Sequence, residues 1–278
     1  MLFSCSKVVE YKLPYQGDKM VLNGLLNPDS VIQIRVSKSI PVGQEVAIEQ
    51  IVISDAIVEL WEDSVKIENL YYIQQGIYRS SSQFKPQINK GYRIKVSAIN
   101  LPPAETETVY IPEIPRLTDA HFTDSIAISS NQAVVGKMRF EVMQTLLADY
   151  YWIDFRGYKN GALKYPNQTW IRADANSCGE DHFGMYASFI FSDKCQPFPH
   201  FPIQIETETG DYEGRFDSIK VAIAKINPLF YTYQKAIAHQ PIGGFDSAFS
   251  EGKPLPSNVK GGYGIVVGFS QVGLVFAL

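Results

Sequence analysis

Tyr92-Arg93-Ile94-Lys95-Val96-Ser97-Ala98 is the cleanest alternation in the chain. Successive residues of an extended strand point to opposite faces, so Tyr92, Ile94, Val96 and Ala98 line one side, and Arg93, Lys95 and Ser97 the other. The run predicts an antiparallel strand with one dry and one wet face. Asn89-Lys90-Gly91 supplies a turn before it, and Leu101-Pro102-Pro103 ends it. The same period recurs upstream in Val31-Ile32-Gln33-Ile34-Arg35-Val36 and in Ile57-Val58-Glu59-Leu60-Trp61. A Pro/Gly break at Ile40 to Gly43 separates these two runs, and Tyr71 to Tyr78 adds a further strand. About seven short strands then fit residues 21–112, at the spacing of a small β-sandwich.

Ile111-Pro112-Glu113-Ile114-Pro115 reads as a linker, because prolines at alternate positions favour an extended, stiff segment. Beyond it, residues 116–278 are expected to form a larger C-terminal β-rich domain. Its candidate strands are Val134 to Val142, Tyr150 to Gly157, Thr169 to Ala173, Phe183 to Phe191, Ile203 to Glu208 and Ser218 to Ile226. One helix is expected: Asn227 is an N-cap, Pro228 takes the first helical position, and Leu229 to His239 holds no breaker. A glycine-punctuated strand or hairpin, Gly261 to Leu278, closes the chain. The fold class is therefore mainly β, with two sandwiches, the second carrying one helix.

The chain has 278 residues, 13% aromatic and 19% charged, with a net charge of -4. No Lys/Arg-rich run is present to neutralise phosphates, which argues against nucleic acid as a partner. No apolar run reaches the eighteen or so residues of a spanning helix; Ile265 to Leu278 is interrupted by Gly268, Ser270, Gln271 and Gly273. Attachment to a membrane is instead expected from the N-terminus. Leu2-Phe3-Ser4-Cys5 reads as a lipobox, with an apolar residue three positions before the cysteine and a small one directly before it. Cys5 would then be the acylated first residue of the mature protein, and residues 6–20 a polar tether. The charged, apolar segment that should come first is missing, so the sequence is expected to start internally or to have been trimmed. The other reading is a short apolar N-terminus with a chance cysteine. If Cys5 takes lipid, Cys178 and Cys195 remain, either bonded around a loop of about eighteen residues, which would stabilise by roughly 3 kcal/mol, or as two free thiols.

In order and spacing, several segments resemble one known family, the Bacteroidota lipoproteins grouped as domain of unknown function 4249. They include the lipobox cysteine, Val21-Leu22-Asn23-Gly24, Ile34 to Ser39, Ile53 to Leu60, Gly91 to Val96, Asp149-Tyr150-Tyr151-Trp152, Leu229 to Tyr233 and Pro256 to Gly264. The first domain is similar to the small transthyretin- or immunoglobulin-like sandwiches of surface proteins. The resemblance implies an outer-membrane lipoprotein, periplasmic or surface-exposed, often encoded near a TonB-dependent transporter. It implies no catalytic mechanism. A second resemblance is to the O-glycosylation acceptors of exported Bacteroidota proteins, where Asp precedes Ser or Thr and an apolar residue. Ser30, Ser64, Ser125, Ser218 and Ser247 all stand in that context. Asp-Ser is equally a common way into a turn, and both readings stay open.

Catalytic signatures are absent from the sequence: no Gly-x-Ser-x-Gly elbow, no His-Glu-x-x-His, no phosphate-binding glycine loop before a helix and no Cys-x-x-Cys. Gly261-Gly262-Tyr263-Gly264 precedes a strand and is better suited to tight turning or close strand packing. Asp174-x-Asn176-x-Cys178 partly resembles a calcium loop, but a thiol stands where an oxygen ligand belongs and Met185 occupies the twelfth position. No metal, cofactor or catalytic residue is expected. A glycan hydrolase would need two carboxylates about 5 to 10 Å apart in a cleft, with Asp149 and Asp154 the first pair to inspect.

Aromatic residues are the more informative candidates. Tyr151, Tyr158, Tyr165 and Trp170 lie around the Gly/Asn-rich stretch Gly157 to Gln168, either as sandwich core or as rings offered to a sugar or partner. Phe198 and Phe201 sit in the proline-rich loop Lys194 to Pro202, which either docks a partner or packs on its own domain. The expected function is a non-enzymatic binding or accessory subunit for a TonB-dependent nutrient transporter. The alternative is a structural or assembly lipoprotein of the cell surface without a small ligand.

Overall fold

In the computed structural model, which describes residues 15, 17–41, 44, 46–127, 134–145, 149–164, 169–172, 183–185, 188–194, 196, 199–211, 214–238 and 255–278, the alternating runs become strands with the expected faces. The first part of the chain forms β1 (Met20–Leu26), β2 (Gln33–Lys38), a one-turn helix α1 (Ile48–Ile51), β3 (Ile57–Glu62), β4 (Val65–Gln74), β5 (Ile77–Arg79), β6 (Gly91–Ser97), β7 (Ala104–Thr106) and β8 (Val109–Tyr110). β4 turns the corner of a sandwich: Val65 to Leu70 pair with β3, and Tyr71 to Gln74 pair with β5. The β1-β2-β5 face thereby closes over the β3-β6-β7 face. Leu22, Ile34, Val36, Val58, Leu60, Tyr92, Ile94 and Val96 fill the space between them. Tyr92, Ile94 and Val96 point inward and Arg93, Lys95 and Ser97 outward, as their alternation requires.

The serine run Ser80-Ser81-Ser82 that leaves β5 is clamped by Glu68 of β4. Its carboxylate accepts from the Ser81 and Ser82 hydroxyls (both 2.7 Å), the Ser81 and Ser82 main-chain N–H groups (3.0 and 3.3 Å), and the Ser80 hydroxyl. Burial alone would raise the pKa of Glu68; the serine hydrogen bonds outweigh it and hold the value at about 2. A depressed carboxylate pKa adds stability above its unfolded value and loses it as pH falls toward the folded one. Glu68→Gln is therefore expected to cost about 1–2 kcal/mol at pH 7, allowing for solvent screening. The cost should shrink as urea titrations are repeated from pH 4.5 down toward 2; a cost constant with pH would contradict the clamp.

The second part forms β9 (Leu117–Ala127), β10 (Val134–Met143), β11 (Tyr150–Lys159), β12 (Ala162–Lys164), β13 (Thr169–Arg172), β14 (Phe183–Met185), β15 (Ser188–Ser192), β16 (His200–Glu208), β17 (Gly210–Asp211), β18 (Gly214–Arg215), β19 (Ser218–Ile226), α2 (Pro228–Ala238), β20 (Val259–Lys260) and β21 (Tyr263–Ala277). One sheet, in the order β13-β16-β10-β9, packs against another built on β15-β11-β19-β21. Their facing side chains, among them Phe140, Ile203, Tyr151, Phe155, Phe191 and Val221, make the core of a second β-sandwich. On the outer side of the second sheet, Phe230 and Tyr231 of α2 cover Tyr150, Trp152 and Phe269. The helix begins as its sequence predicts, with the Asn227 side chain accepting from the Leu229 N–H at 2.8 Å.

Two strand expectations need correcting. Phe183 to Phe191 is not one strand but the hairpin β14–β15, pairing Phe183 with Ile190 and Met185 with Ser188. β9 has no counterpart in the sequence reading, because a bulge near Asp119, whose φ is +52°, breaks its period.

The closing strand joins the two sandwiches. Tyr263 to Gly268 run parallel to β1, and Phe269 to Ala277 run antiparallel to β19. β20 adds to β7. Residues 259–268, assigned by the sequence to the C-terminal domain, thus pair with strands of the first sandwich. The linker is pinned at the same place: the Asn89 N–H donates to the Ile111 carbonyl (2.9 Å), and the buried Ser270 hydroxyl donates to that of Glu113 (2.7 Å).

Candidate functional site

Where the linker meets the second sandwich, a cavity of about 200 Å³ opens between Glu113–Arg116, the end of β10 at Met143–Thr145, Tyr151 and Lys225. Of its lining groups, Gln144, Thr145, Tyr151 and Lys225 are held by Asp149 and Asp193, two residues beside the cavity that are not part of its lining. Asp193, buried at the end of β15, exchanges main-chain bonds with the start of β11: its N–H donates to the Asp149 carbonyl (3.1 Å), and its Oδ1 accepts from the Asp149 N–H (2.7 Å). Gln144 Nε2 donates to the Asp193 carbonyl (3.1 Å), and the Tyr151 hydroxyl to Asp193 Oδ2 (3.4 Å). Asp149 Oδ2 in turn accepts from Thr145 Oγ1 (2.7 Å) and lies 2.5 Å from Lys225 Nζ. Arg116 stands exposed at the rim.

The electrostatics follow from this burial. Asp193 is pushed up to about 6, first by desolvation and then by the neighbouring Asp149 charge, against the stabilising N–H of Asp149. Tyr151 is raised well above the usual phenol range by its own burial and by the same two carboxylates. A raised carboxyl pKa contributes stability below its unfolded value and loses it as pH rises through the folded one. Asp193→Asn, which cannot ionise, is accordingly expected to melt above the parent at pH 7–8, by an amount equivalent to about 1–2 kcal/mol. That advantage should fade by pH 4; a difference in melting temperature that does not change with pH would refute the assignment. Chemically the cavity is a pre-organised polar niche that can hold a small polar group.

A second concavity, of about 420 Å³, lies on the outer face of the first sandwich. Glu59, Lys95, Glu105 and Lys260 stand directly opposite one another on β3, β6, β7 and β20, forming a ladder of alternating charge. Lys95 also lies over the Trp61 ring, 4.3 Å from its centroid.

The aromatic candidates divide. Tyr151 is 1% and Phe201 0% exposed, so neither ring is offered to a ligand. Both occupy inward positions of their strands and pack on Phe191, at 5.3 and 6.1 Å between ring centroids, so of the two readings the sequence left open for these rings they take the core one. Tyr151 still borders the junction cavity. Tyr158 is half-buried. Tyr165, the Trp170 side chain, Phe198, Cys5, Cys178, Cys195, Ser247, the Ser125 side chain and Asp174 to His182 lie outside the described residues. Ser30 and Ser64 are exposed in turns, and Ser218 is half-buried at the start of β19. Asp149 and Asp154 are not a catalytic pair: five residues of extended strand separate their Cα atoms by about 17 Å, and Asp154 bonds Arg156 (2.7 Å) instead. The carboxyl that Asp149 actually meets is Asp193. Among the described residues, no group of three His, Cys, Asp or Glu side chains could hold a metal ion, and no helix is long and apolar enough to cross a membrane.

These features define a mainly β protein of two sandwiches sharing their last strand. The chain belongs to the family described as domain of unknown function (DUF4249), whose model matches residues 6–273. No curated protein matches it. A similar solved structure is the collagen binding domain of the Erysipelothrix rhusiopathiae surface protein RspB. It has 13% identity over 75% of this chain and 86% of that one; at a TM-score of 0.24 the likeness carries no argument.

Proposed function

We propose that the chain is a Bacteroidota outer-membrane lipoprotein, held by lipid on Cys5, that serves as a non-enzymatic binding or accessory subunit beside a TonB-dependent nutrient transporter. The observation that carries the reading is how the chain enters the fold. Tyr15 bonds Asp18 (2.5 Å), Asp18 pairs with Lys38 (2.9 Å), and the Lys19 N–H donates to the Ser39 hydroxyl (3.0 Å). The segment is thus fixed to the end of β2 only ten residues after Cys5, at most about 35 Å of chain. A short tether of this kind holds a rigid body close to a membrane component. The polar groups lining the junction cavity are already held by Asp149 and Asp193, so a ligand or partner meets them at little ordering cost.

The test is to solubilise native outer membranes in mild detergent, capture the protein and identify by mass spectrometry what accompanies it. A stoichiometric TonB-dependent barrel is the expected result. Recovery of the lipoprotein alone would overturn the accessory role and favour a structural lipoprotein.

A further inference from the structure

The strand directions give the first sandwich two unlike ends. β8 and the first half of β21 lead into the second sandwich at one end. The other end is distal and receives the N-terminal segment; it is made by the β2–β3, β4–β5, β6–β7 and β20–β21 connections. Six exposed large apolar side chains stand on the strand ends and connections of this end, Ile40, Ile48, Ile57, Ile73, Ile99 and Tyr263, while others as exposed, such as Val65, Tyr110 and Val275, stand elsewhere. Ile99, at the tip of the turn closed by the Leu101 N–H on the Ala98 carbonyl, is 75% exposed, and Ile57 is 56% exposed. An isoleucine on a turn tip gains nothing in water, and several such residues at the end that also receives the N-terminal segment suit a contact surface. Lys19, Lys38 and Lys260 stand at this end with Asp18, Glu49 and Asp55, so net charge neither draws nor repels a partner strongly. Attraction there is left to the apolar groups.

We propose that this end is the membrane-facing surface, with Ile99 and its neighbours seated in the boundary between lipid headgroups and acyl chains. The inference rests on the reading of Cys5 as acylated. The tether emerges among these side chains and ends ten residues away in the lipid, so a bilayer is the one partner that the covalent chain itself brings to them. Apolar and tyrosine side chains at that depth add a second attachment to the acyl anchor and fix its orientation. The second sandwich and the junction cavity then project away from the membrane.

The test uses the full chain, purified from membranes in detergent and reconstituted into phosphatidylethanolamine/phosphatidylglycerol vesicles with brominated acyl chains. Ile99→Trp reports the distal end. Val65→Trp is the control: Val65 is level with Glu62 and Tyr92, so it lies about 23 Å from Ile99 along the strand direction, toward the second sandwich; Val65 is itself exposed, so both variants should fold. The expected result is that both variants float with the vesicles, and that brominated lipid quenches the fluorescence added by Ile99→Trp while sparing that added by Val65→Trp. Flotation without quenching in the Ile99→Trp variant would overturn the membrane-facing surface but leave the anchor standing. Crosslinking of two copies through the distal end would overturn it as well, reassigning that end to self-association. A chain that does not float overturns the anchor and the surface together.

Discussion

Gly264→Val is expected to leave little or no soluble folded protein. Gly264 stands second in the run in which β21 lies parallel to β1, directly opposite Leu22. Its φ is +102°, and a Cβ there would sit 2.1 Å from the Leu22 carbonyl oxygen and 2.9 Å from the Leu22 carbonyl carbon and nitrogen. Those atoms are backbone in a central strand and cannot turn aside as a side chain would. The left-handed conformation alone costs an L-residue about 1–3 kcal/mol, and displacing β1 would add the loss of several ladder bonds. A total above about 4 kcal/mol is a large share of the roughly 5–15 kcal/mol by which a native protein is stable. Gly264→Ala should show the same defect in milder form, as a lowered urea midpoint. A midpoint unchanged in the alanine variant would mean that β21 does not pair with β1 in this register.

Asn258→Ala is expected to cost about 2–4 kcal/mol. The buried Asn258 amide acts as a piece of strand. Its Nδ2 donates to the Val266 carbonyl at 2.7 Å, and its Oδ1 accepts from the Val266 N–H at 3.1 Å. Both bonds go to a residue that is itself fully buried, so truncation strands a donor and an acceptor away from water. Asn258→Asp should be no better, because it keeps the acceptor, removes the donor and buries a charge. Urea unfolding of both variants measures this; a loss below about 0.5 kcal/mol would show that water replaces the amide there. The two positions lie in one segment, Pro256 to Gly264, where chain closure and the join between sandwiches are accomplished together. Gly261, with φ +76° and a would-be Cβ 2.2 Å from the Pro103 carbonyl oxygen, belongs to the same turn.

Local pattern made much of this architecture legible. Tyr92 to Ser97 and Ser218 to Ile226 alternate because one side of each faces a core, and Asn227-Pro228 announces α2 because a capping side chain and a fixed φ act within one turn. What pattern could not supply was pairing at long range. The partner of Gly264 lies more than two hundred residues away, so the glycines of 261–264 announce close packing but not against what. β9 was hidden by its bulge at Asp119, which interrupts the period a sequence reader looks for. The site was harder still. Tyr151 and Phe201 attracted notice as aromatics, yet alternation places both inside, and aromatic content alone cannot tell a core ring from an offered one. Asp193 and Lys225 carry no local signal, since each gains its meaning only where the ends of β15 and β19 meet the start of β11. The Glu59–Lys95–Glu105–Lys260 ladder was partly within reach, because the outward positions of β3 carry a carboxylate and those of β6 two cations, but its register comes only with the fold.

The most direct test of the account is cell fractionation of the protein expressed from its native gene, together with a Cys5→Ala variant and intact-mass analysis of the membrane-bound form. The parent is expected in the outer-membrane fraction with Cys5 as its acylated first residue, and the variant is expected to leave that fraction. An unacylated Cys5, or fractionation unchanged by the substitution, would contradict the lipid anchor and with it the proposed place of this protein at the membrane.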